Sequence, residues 1–237
     1  MTSRVLVIIP CFNEAENISG LYDELRQVEV VGCSISAVFV NDASSDNSLE
    51  VLRSVGATYL DNSVNLGIGG TMQVGFRYAL ENGFNYAVQM DGDGQHPPSE
   101  LPALLFPLLS DKCDAVVGSR FLGNESFRST AARRMGIRVF HWLNKLLGGV
   151  SIRDSTSGFR AYNRKVIQHF TNYYPDEYPE PETVLYLAHK KMRLMEVPVT
   201  MRPRQGGVSS IGNLSSLYYM GKVVLNILFL HLRSKNA

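Results

Sequence analysis

Short apolar runs, each followed by a polar turn and then a stretch with helical spacing, set the first half of this chain: Val5–Ile9, Ser36–Val40, Thr58–Leu60, Tyr86–Met90 and Ala115–Gly118. Runs of this length rich in Val, Ile and Phe read as strands. The stretches between them, about residues 14–28, 46–55 and 70–81 and one after Pro97-Pro98, carry apolar residues at helical spacing. Strand and helix in alternation predict an α/β fold with a mainly parallel central sheet and helices on both faces. Parallel strands joined in this way end at a common edge, and ligands of open α/β sheets bind outside those carboxyl ends. The polar motifs of this chain fall at that edge.

The most chemically loaded of them is Met90-Asp91-Gly92-Asp93-Gly94-Gln95-His96-Pro97, directly after the fourth run. Asp91 and Asp93 put two hard oxygen ligands on one exposed turn, and Gln95 adds a neutral third. Such a set suits Mg²⁺ or Mn²⁺ held beside substrate phosphates. At the first strand end, Pro10-Cys11-Phe12-Asn13-Glu14 places Glu14 where it caps helix amides or meets a ribose hydroxyl. At the second, Asp42 sits on the last turn of the strand, where a carboxylate can accept a hydrogen bond from a base N–H. Ser45 or Asp46 there is a natural helix cap. Asn65-Leu66-Gly67-Ile68-Gly69-Gly70 superficially suggests a phosphate loop, but it lacks the Lys-Ser/Thr of a P-loop and reads as a tight strand–helix turn.

Composition narrows the function classes. The chain has 237 residues, 45% apolar and 19% charged, enough for one full core. A net charge of +1 and the lack of a basic–aromatic stripe argue against a nucleic-acid partner. Cys11, Cys33 and Cys113 are odd in number and widely spaced, as expected of reduced thiols in a cytosolic protein. Met1-Thr2-Ser3-Arg4 runs straight into an apolar strand, so no secretory leader is expected. The apolar stretch from Met220 to Leu232 is too short for a transmembrane span.

The second half is less regular. Arg133–Leu147 reads as a basic amphipathic helix closed by Gly148-Gly149, and Phe159–Tyr162 as a short strand. Tyr173 to Pro181 reads as a Tyr/Pro-rich acidic loop, followed by a helix from Thr183 to about Lys190 and a strand over Arg193–Val199. Arg202 to Gly212 reads as a polar loop, and Leu214–Leu232 as a final helix. That last helix is apolar almost all round, more than a surface helix needs. It is expected to pack on another protein or lie in a membrane interface, helped by Arg138, Lys145, Lys222 and Arg233.

The order Pro-x-x-Asn-Glu, Asn-Asp-x-Ser-x-Asp, Asn-x-Gly, Asp-Gly-Asp-x-Gln-His-Pro and Gly-Ser-Arg resembles the family-2 glycosyltransferases of GT-A fold, over nearly the whole chain. Gly118-Ser119-Arg120, Thr156-Ser157-Gly158-Phe159-Arg160 and Glu196-Val197-Pro198-Val199-Thr200 make it most similar to the dolichyl/polyprenyl-phosphate sugar synthases within that family. The resemblance implies a GT-A domain over residues 1–212 and a C-terminal amphipathic helix over 213–237. It implies a metal-dependent inverting transfer of sugar from a nucleoside diphosphate, UDP favoured over GDP, to polyprenyl phosphate or a glycolipid acceptor. It further implies that Pro10, Phe12, Glu14 and Asp42 hold the nucleoside, while Asp91, Asp93 and Gln95 hold the divalent ion. Arg120 and Arg133 would face the acceptor, and Arg204 and Ser209 would close over the diphosphate. The implied place is the cytoplasmic membrane face, peripheral, with a small membrane-protein partner or a homo-oligomer as further expectations. Ser210 stands where the lipid-phosphate synthases carry Lys, and Pro179-Glu180-Pro181-Glu182 lies where inverting members place a base. A phosphate acceptor needs no base and a sugar hydroxyl does. Transfer to a saccharide with Glu182 or Glu180 as base is therefore the rival expectation. A non-catalytic nucleotide-sugar-binding subunit is a third, disfavoured by the intact Asp91, Asp93 and Gln95.

Overall fold

The computed structural model describes residues 2–122, 131–176, 179–203 and 213–235, without the side chains of 131–135, 213–220 and 233–235. A seven-stranded sheet runs in the order β3-β2-β1-β4-β6-β5-β7. Its strands are β1 (Ser3–Cys11), β2 (Cys33–Asn41), β3 (Tyr59–Asp61), β4 (Tyr86–Gln89), β5 (Ala115–Ser119), β6 (Arg160–Asn163) and β7 (Leu194–Pro198). Pairing is parallel throughout except at β6, which runs antiparallel to both β4 and β5.

The period of two along β1 divides the core. Val5, Val7, Ile9 and Cys11 point to one face, where α1 (Ala15–Arg26), α2 (Ser48–Ser54) and α4 (Leu101–Leu109) bring Ile18, Leu52 and Leu104. Leu6 and Ile8 point to the other, under α3 (Gly67–Glu81) and α6 (Arg164–Asn172), which bring Met72, Phe76 and Phe170. Both faces of β1 are buried, as parallel strands demand.

The elements of the second half are α5 (Ala131–Gly148), α7 (Pro179–His189) and α8 (Asn213–Lys235). Phe140 of α5, Leu185 of α7, and Val223 and Ile227 of α8 form a separate cluster of buried side chains. The final helix is therefore docked on one side. Two elements differ from expectation. Helix α6 was not foreseen. Only Val166, Ile167 and Phe170 mark its buried side, but Asn163 caps it by accepting from the Val166 N–H at 3.2 Å. Helix α7 starts at Pro179 rather than Thr183, because proline is accommodated in a first helical turn, where its missing N–H has no intrahelical partner to lose.

Candidate active site

The ends of β1 and β2 are sewn together by their own motifs. Asn13 has φ 58°, the left-handed region Asn tolerates, and this turns its side chain across to the neighbouring loop. Its Oδ1 accepts from the N–H of Ser45 at 2.8 Å and of Asp46 at 3.3 Å, and its own N–H donates to Ser44 Oγ at 3.0 Å. The Glu14 N–H donates to Ser48 Oγ and the Ala15 N–H to Asp46 Oδ2. Glu14 also accepts from Asn17 Nδ2 at 2.6 Å, beside the start of α1. Phe12 stands half exposed above this wall, just beyond Pro10.

Asp42 is buried, and its carboxylate is engaged by α3. Oδ1 accepts from the Leu66 N–H at 2.8 Å and Asn62 Nδ2 at 3.0 Å, and Oδ2 from the Gly67 N–H at 2.9 Å. A carboxylate has about four acceptor positions, so at most a small remainder faces a ligand. The Asn-x-Gly motif is the other half of this contact, with Asn65 Nδ2 donating to the Asp42 carbonyl. The sequence reading of that loop as a tight turn holds, and Asp42 serves as its cap.

Asp91, Asp93 and Gln95 follow β4, the central strand. Asp93 is buried and its Oδ1 accepts from the Gln95 N–H at 3.0 Å, closing a turn that keeps the two residues together. The Gln95 carbonyl accepts from the Arg202 N–H at 2.9 Å, and Arg202 Nη1 donates to both carboxylate oxygens of Glu24 on α1 at 2.7 and 2.9 Å. The segment entering 204–212 is thereby anchored beside the carboxylates. Arg204 and Ser209 themselves lie outside the described residues. Among the described residues no three His, Cys, Asp or Glu side chains gather into a self-sufficient metal cage. Two carboxylates and an amide fit an ion whose remaining positions are filled by water and substrate phosphates, as for Mg²⁺ or Mn²⁺.

Three residues beneath Asp91 went unassigned in the sequence. His96 is buried, its ring stacked on Phe159 with centroids 5.0 Å apart. Its Nδ1 accepts from the Asp91 N–H at 3.1 Å. Burial, opposed by Asp93, lowers its pKa to about 4, so the ring is neutral near pH 7. Gly158 lies under the Asp91 carboxylate, where a Cβ would sit 2.7 and 2.9 Å from its two oxygens.

Arg120 is more occupied than the sequence suggested. It is buried, donates from Nε and Nη2 to the two Asp154 oxygens at 2.7 and 2.6 Å, and reaches Thr156 Oγ1 at 2.9 Å. Glu196 in turn accepts from the Asp154 N–H at 2.7 Å, which gives the Glu-Val-Pro motif its place. Arg160 is fully buried and donates to the Ser157 and Ser155 carbonyls and to Thr183 Oγ1, each at 2.7 Å. Arg133 belongs to the first turns of α5, and its side chain lies outside the described residues.

The two glutamates of α7 part company, since residues two apart on a helix lie about 200° apart. Glu180 turns to β4, where Gln89 Nε2 stands 3.5 Å away and Gln89 is itself held by the Tyr174 hydroxyl at 3.0 Å. Burial raises the Glu180 pKa to about 7, with Arg160 pulling it down and Asp91 pushing it up. Glu182 turns instead to α8, accepting from Asn226 Nδ2 at 2.8 Å. There it borders a cleft of about 320 Å³ shared with Tyr173, Lys222 and Phe229. Of the two, Glu180 is the one beside the carboxylate turn.

Comparison with known proteins identifies the family and the fold. The sequence profile of glycosyl transferase family 2 matches residues 6–171. Polyprenol monophosphomannose synthase of Mycolicibacterium smegmatis is 28% identical over 233 residues, 94% of this chain and 86% of that protein. The UDP-N-acetylglucosamine–dolichyl-phosphate N-acetylglucosaminyltransferase of Methanococcus voltae is 26% identical over 215 residues, 82% of this chain and 84% of its own. Among solved structures, glucosyl-3-phosphoglycerate synthase from Mycobacterium tuberculosis, in complex with Mn²⁺, UDP-glucose and phosphoglyceric acid, superposes with a TM-score of 0.74. It shares 17% identity, over 97% of this chain and 80% of that one, a likeness of fold.

Proposed function

The chain belongs to glycosyl transferase family 2, and from that premise we propose that it moves a sugar from a nucleoside diphosphate onto polyprenyl phosphate with inversion at the anomeric carbon. One acceptor phosphate oxygen attacks the anomeric carbon in line. The bond to the leaving diphosphate breaks, and its electron pair stays with the diphosphate oxygen. The attacking group is already an anion, so no base is required. Asp91, Asp93 and Gln95 would hold Mg²⁺ or Mn²⁺, which when bound offsets the negative charge gathering on the leaving group. Pro10, Phe12, Glu14 and Asp42 border the nucleoside. Arg204 and Ser209 close over the diphosphate. Arg133 binds the acceptor phosphate, and Arg120, forked onto Asp154, keeps the surrounding loop in place as well as adding positive potential. UDP is the favoured carrier, in keeping with the M. voltae relative.

The observation that carries this reading is the pair of carboxylates with Gln95 at the carboxyl end of the central strand, pinned by Asp93 and Arg202. The lipid acceptor is supported by the named relatives and by the outer surface of α5 and α8. Val139, Trp142 and Leu146 on α5 and Leu225, Leu228, Phe229 and Leu232 on α8 are exposed, Trp142 at 65% and Leu146 at 79%. Exposed Arg138 and Lys145 flank them, and Lys145 Nζ stands 5.4 Å from the Trp142 ring centre. An apolar surface with an indole and cations at its margin suits the interface of an anionic membrane, here the inner face of the cytoplasmic membrane. Among the described residues no helix is long and apolar enough to cross a membrane. Contact with a small membrane protein, or with a second copy of the chain, is the other way to cover it.

A second reading has a specific observation behind it: Glu180, with its pKa raised to about 7 beside the carboxylate turn, is poised as a base for a sugar hydroxyl. Substitution separates the two. Asp91→Ala abolishes transfer under either reading, and full turnover by that variant contradicts both. Glu180→Gln or Glu182→Gln spares a phosphate acceptor, whereas loss of turnover with donor binding intact marks a hydroxyl acceptor.

A further inference from the structure

From Asp154 to Arg160 every residue is buried except Thr156, which is partly exposed. Arg160 holds the backbone on both sides of it, donating from Nη2 to the Ser155 carbonyl and from Nε to the Ser157 carbonyl, each at 2.7 Å. Thr156 is thus the apex of a loop clamped at both shoulders by one guanidinium. Its hydroxyl is engaged from behind. Oγ1 accepts from Arg120 Nη2 at 2.9 Å, while its own proton points to Asp154 Oδ1 at 3.3 Å. That carboxylate is already well supplied: Oδ1 takes Arg120 Nη2 at 2.6 Å, and Oδ2 takes the Arg120 Nε and backbone N–H at 2.7 and 3.0 Å. If the hydroxyl turns away, Asp154 keeps three hydrogen bonds and loses one long one. The charges favour an anion. Asp154 offsets Arg120, and Arg160 meets three neutral oxygens, so these three side chains together carry one positive charge. The loop is also near the reacting atoms. Gly158 abuts the Asp91 carboxylate, and the two residues from there to Thr156 span at most about 7 Å.

We propose that Thr156 binds the acceptor phosphate, its hydroxyl donating to a phosphate oxygen while Arg120 donates to that hydroxyl from behind. Arg120, buried on Asp154, then acts on the lipid head group through Thr156 rather than by touching it. A hydroxyl that accepts from a cation is a stronger donor in turn, and an anionic acceptor strengthens the bond again. The leaving diphosphate is committed to the ion at Asp91, Asp93 and Gln95, so the phosphate left for Thr156 is that of the acceptor. The inference rests on the reading of polyprenyl phosphate as acceptor given above. It assigns to the first residue of the Thr-Ser-Gly-Phe-Arg motif a task separate from the floor that Gly158 and Phe159 make under Asp91.

Two substitutions isolate the hydroxyl. Thr156→Val keeps the shape of the side chain and the Arg120–Asp154 pair but removes the donor, and Thr156→Ser keeps the donor. Initial rates are recorded with undecaprenyl phosphate varied at saturating donor, then with the UDP- or GDP-sugar that supports transfer varied at saturating acceptor. Geranyl phosphate, a soluble phosphate monoester, is titrated as an inhibitor against undecaprenyl phosphate, and thermal unfolding is followed in chelator. A hydrogen bond to a charged group predicts an acceptor KM about 10- to 100-fold higher in Thr156→Val, with geranyl phosphate weakened to the same degree. Donor KM and melting temperature should stay at the wild-type values, and Thr156→Ser should recover most of the acceptor affinity. An unchanged acceptor KM in a folded Thr156→Val protein overturns the proposal. So does a rise confined to the donor KM, which would place the hydroxyl on the diphosphate. If Thr156→Val fails to fold, Thr156→Ala and Thr156→Ser are compared, and equal acceptor affinity in the two overturns it. A wild-type chain that transfers sugar to no lipid phosphate overturns the acceptor reading itself, whereas wild-type transfer unaffected by the substitutions overturns the role of Thr156 alone.

Discussion

A single methyl group added at Gly158 should disable this protein without unfolding it. A Cβ built there lies 2.7 Å from Asp91 Oδ2, 2.9 Å from Oδ1 and 3.1 Å from Cγ, and those are its three nearest neighbours. Ordinary carbon–oxygen contact begins near 3.4 Å, so the carboxylate must retreat by about half an ångström or slightly more, which is the tolerance of a working site. The side chain is 39% exposed and has solvent to retreat into. The folded state therefore loses little, about 0.5 kcal/mol as for an ordinary surface change. The site loses more. A displacement approaching 1 Å costs about 100-fold in rate, so a fall in kcat/KM of about 10- to 100-fold is expected for Gly158→Ala, or about 1.4 to 2.7 kcal/mol of transition-state stabilisation. Initial rates of sugar transfer across a metal titration, paired with thermal melts, measure both quantities. Wild-type turnover and metal dependence in Gly158→Ala would refute the reasoning. A loss of activity matched by an equal loss of stability would refute it too.

Removal of Arg120 leaves Asp154, fully buried, with an uncompensated charge, so Arg120→Ala should cost about 3 to 5 kcal/mol in urea unfolding. Arg120→Lys should recover only part of that, since an ammonium cannot fork onto both oxygens. The raised Glu180 pKa has a sign that can be followed. Between its ordinary value near 4.5 and about 7 the folded chain keeps a proton that the unfolded chain has released. Stability in chelator should therefore fall as pH climbs through that window, and Glu180→Gln should flatten the slope. Superimposable melting curves against pH would count against it. Trp142→Glu alters only an exposed position, and sedimentation with anionic vesicles should drop at least about tenfold while the melting temperature stays put.

What the sequence disclosed and what it withheld follow sequence distance. Strand runs such as Val5–Ile9 announce themselves locally, and β1 merely extends two residues beyond them at each end. The direction of β6 was not announced, because four residues of Arg160–Asn163 carry no sign of which way they will pair. Helix α6 was too short for its period to register, and the prolines of 179–182 read as a loop although they open α7. The carboxylate turn was legible because Asp91, Asp93 and Gln95 sit within five residues on one turn. The contacts that orient it join distant parts of the chain: Asp42 to residues 62–67, Arg120 to Asp154, and His96 to Phe159. A lone sequence has no signal for such pairings. The motif residues could be picked out, but Asp42 as a helix cap and Arg120 as one half of a buried pair could not. The sequence put Glu182 ahead of Glu180 as the base of the rival reading, and the turn of α7 reverses that order, with Glu180 facing β4 and Glu182 facing Asn226.

The most direct test of the central claim is transfer of radiolabelled sugar from a panel of UDP- and GDP-sugars into organic-extractable undecaprenyl phosphate, with Mn²⁺ or Mg²⁺ and membranes present. The account predicts metal-dependent label in the lipid phase, lost on chelation and absent with Asp91→Ala. Donor binding without lipid product under every condition would contradict it.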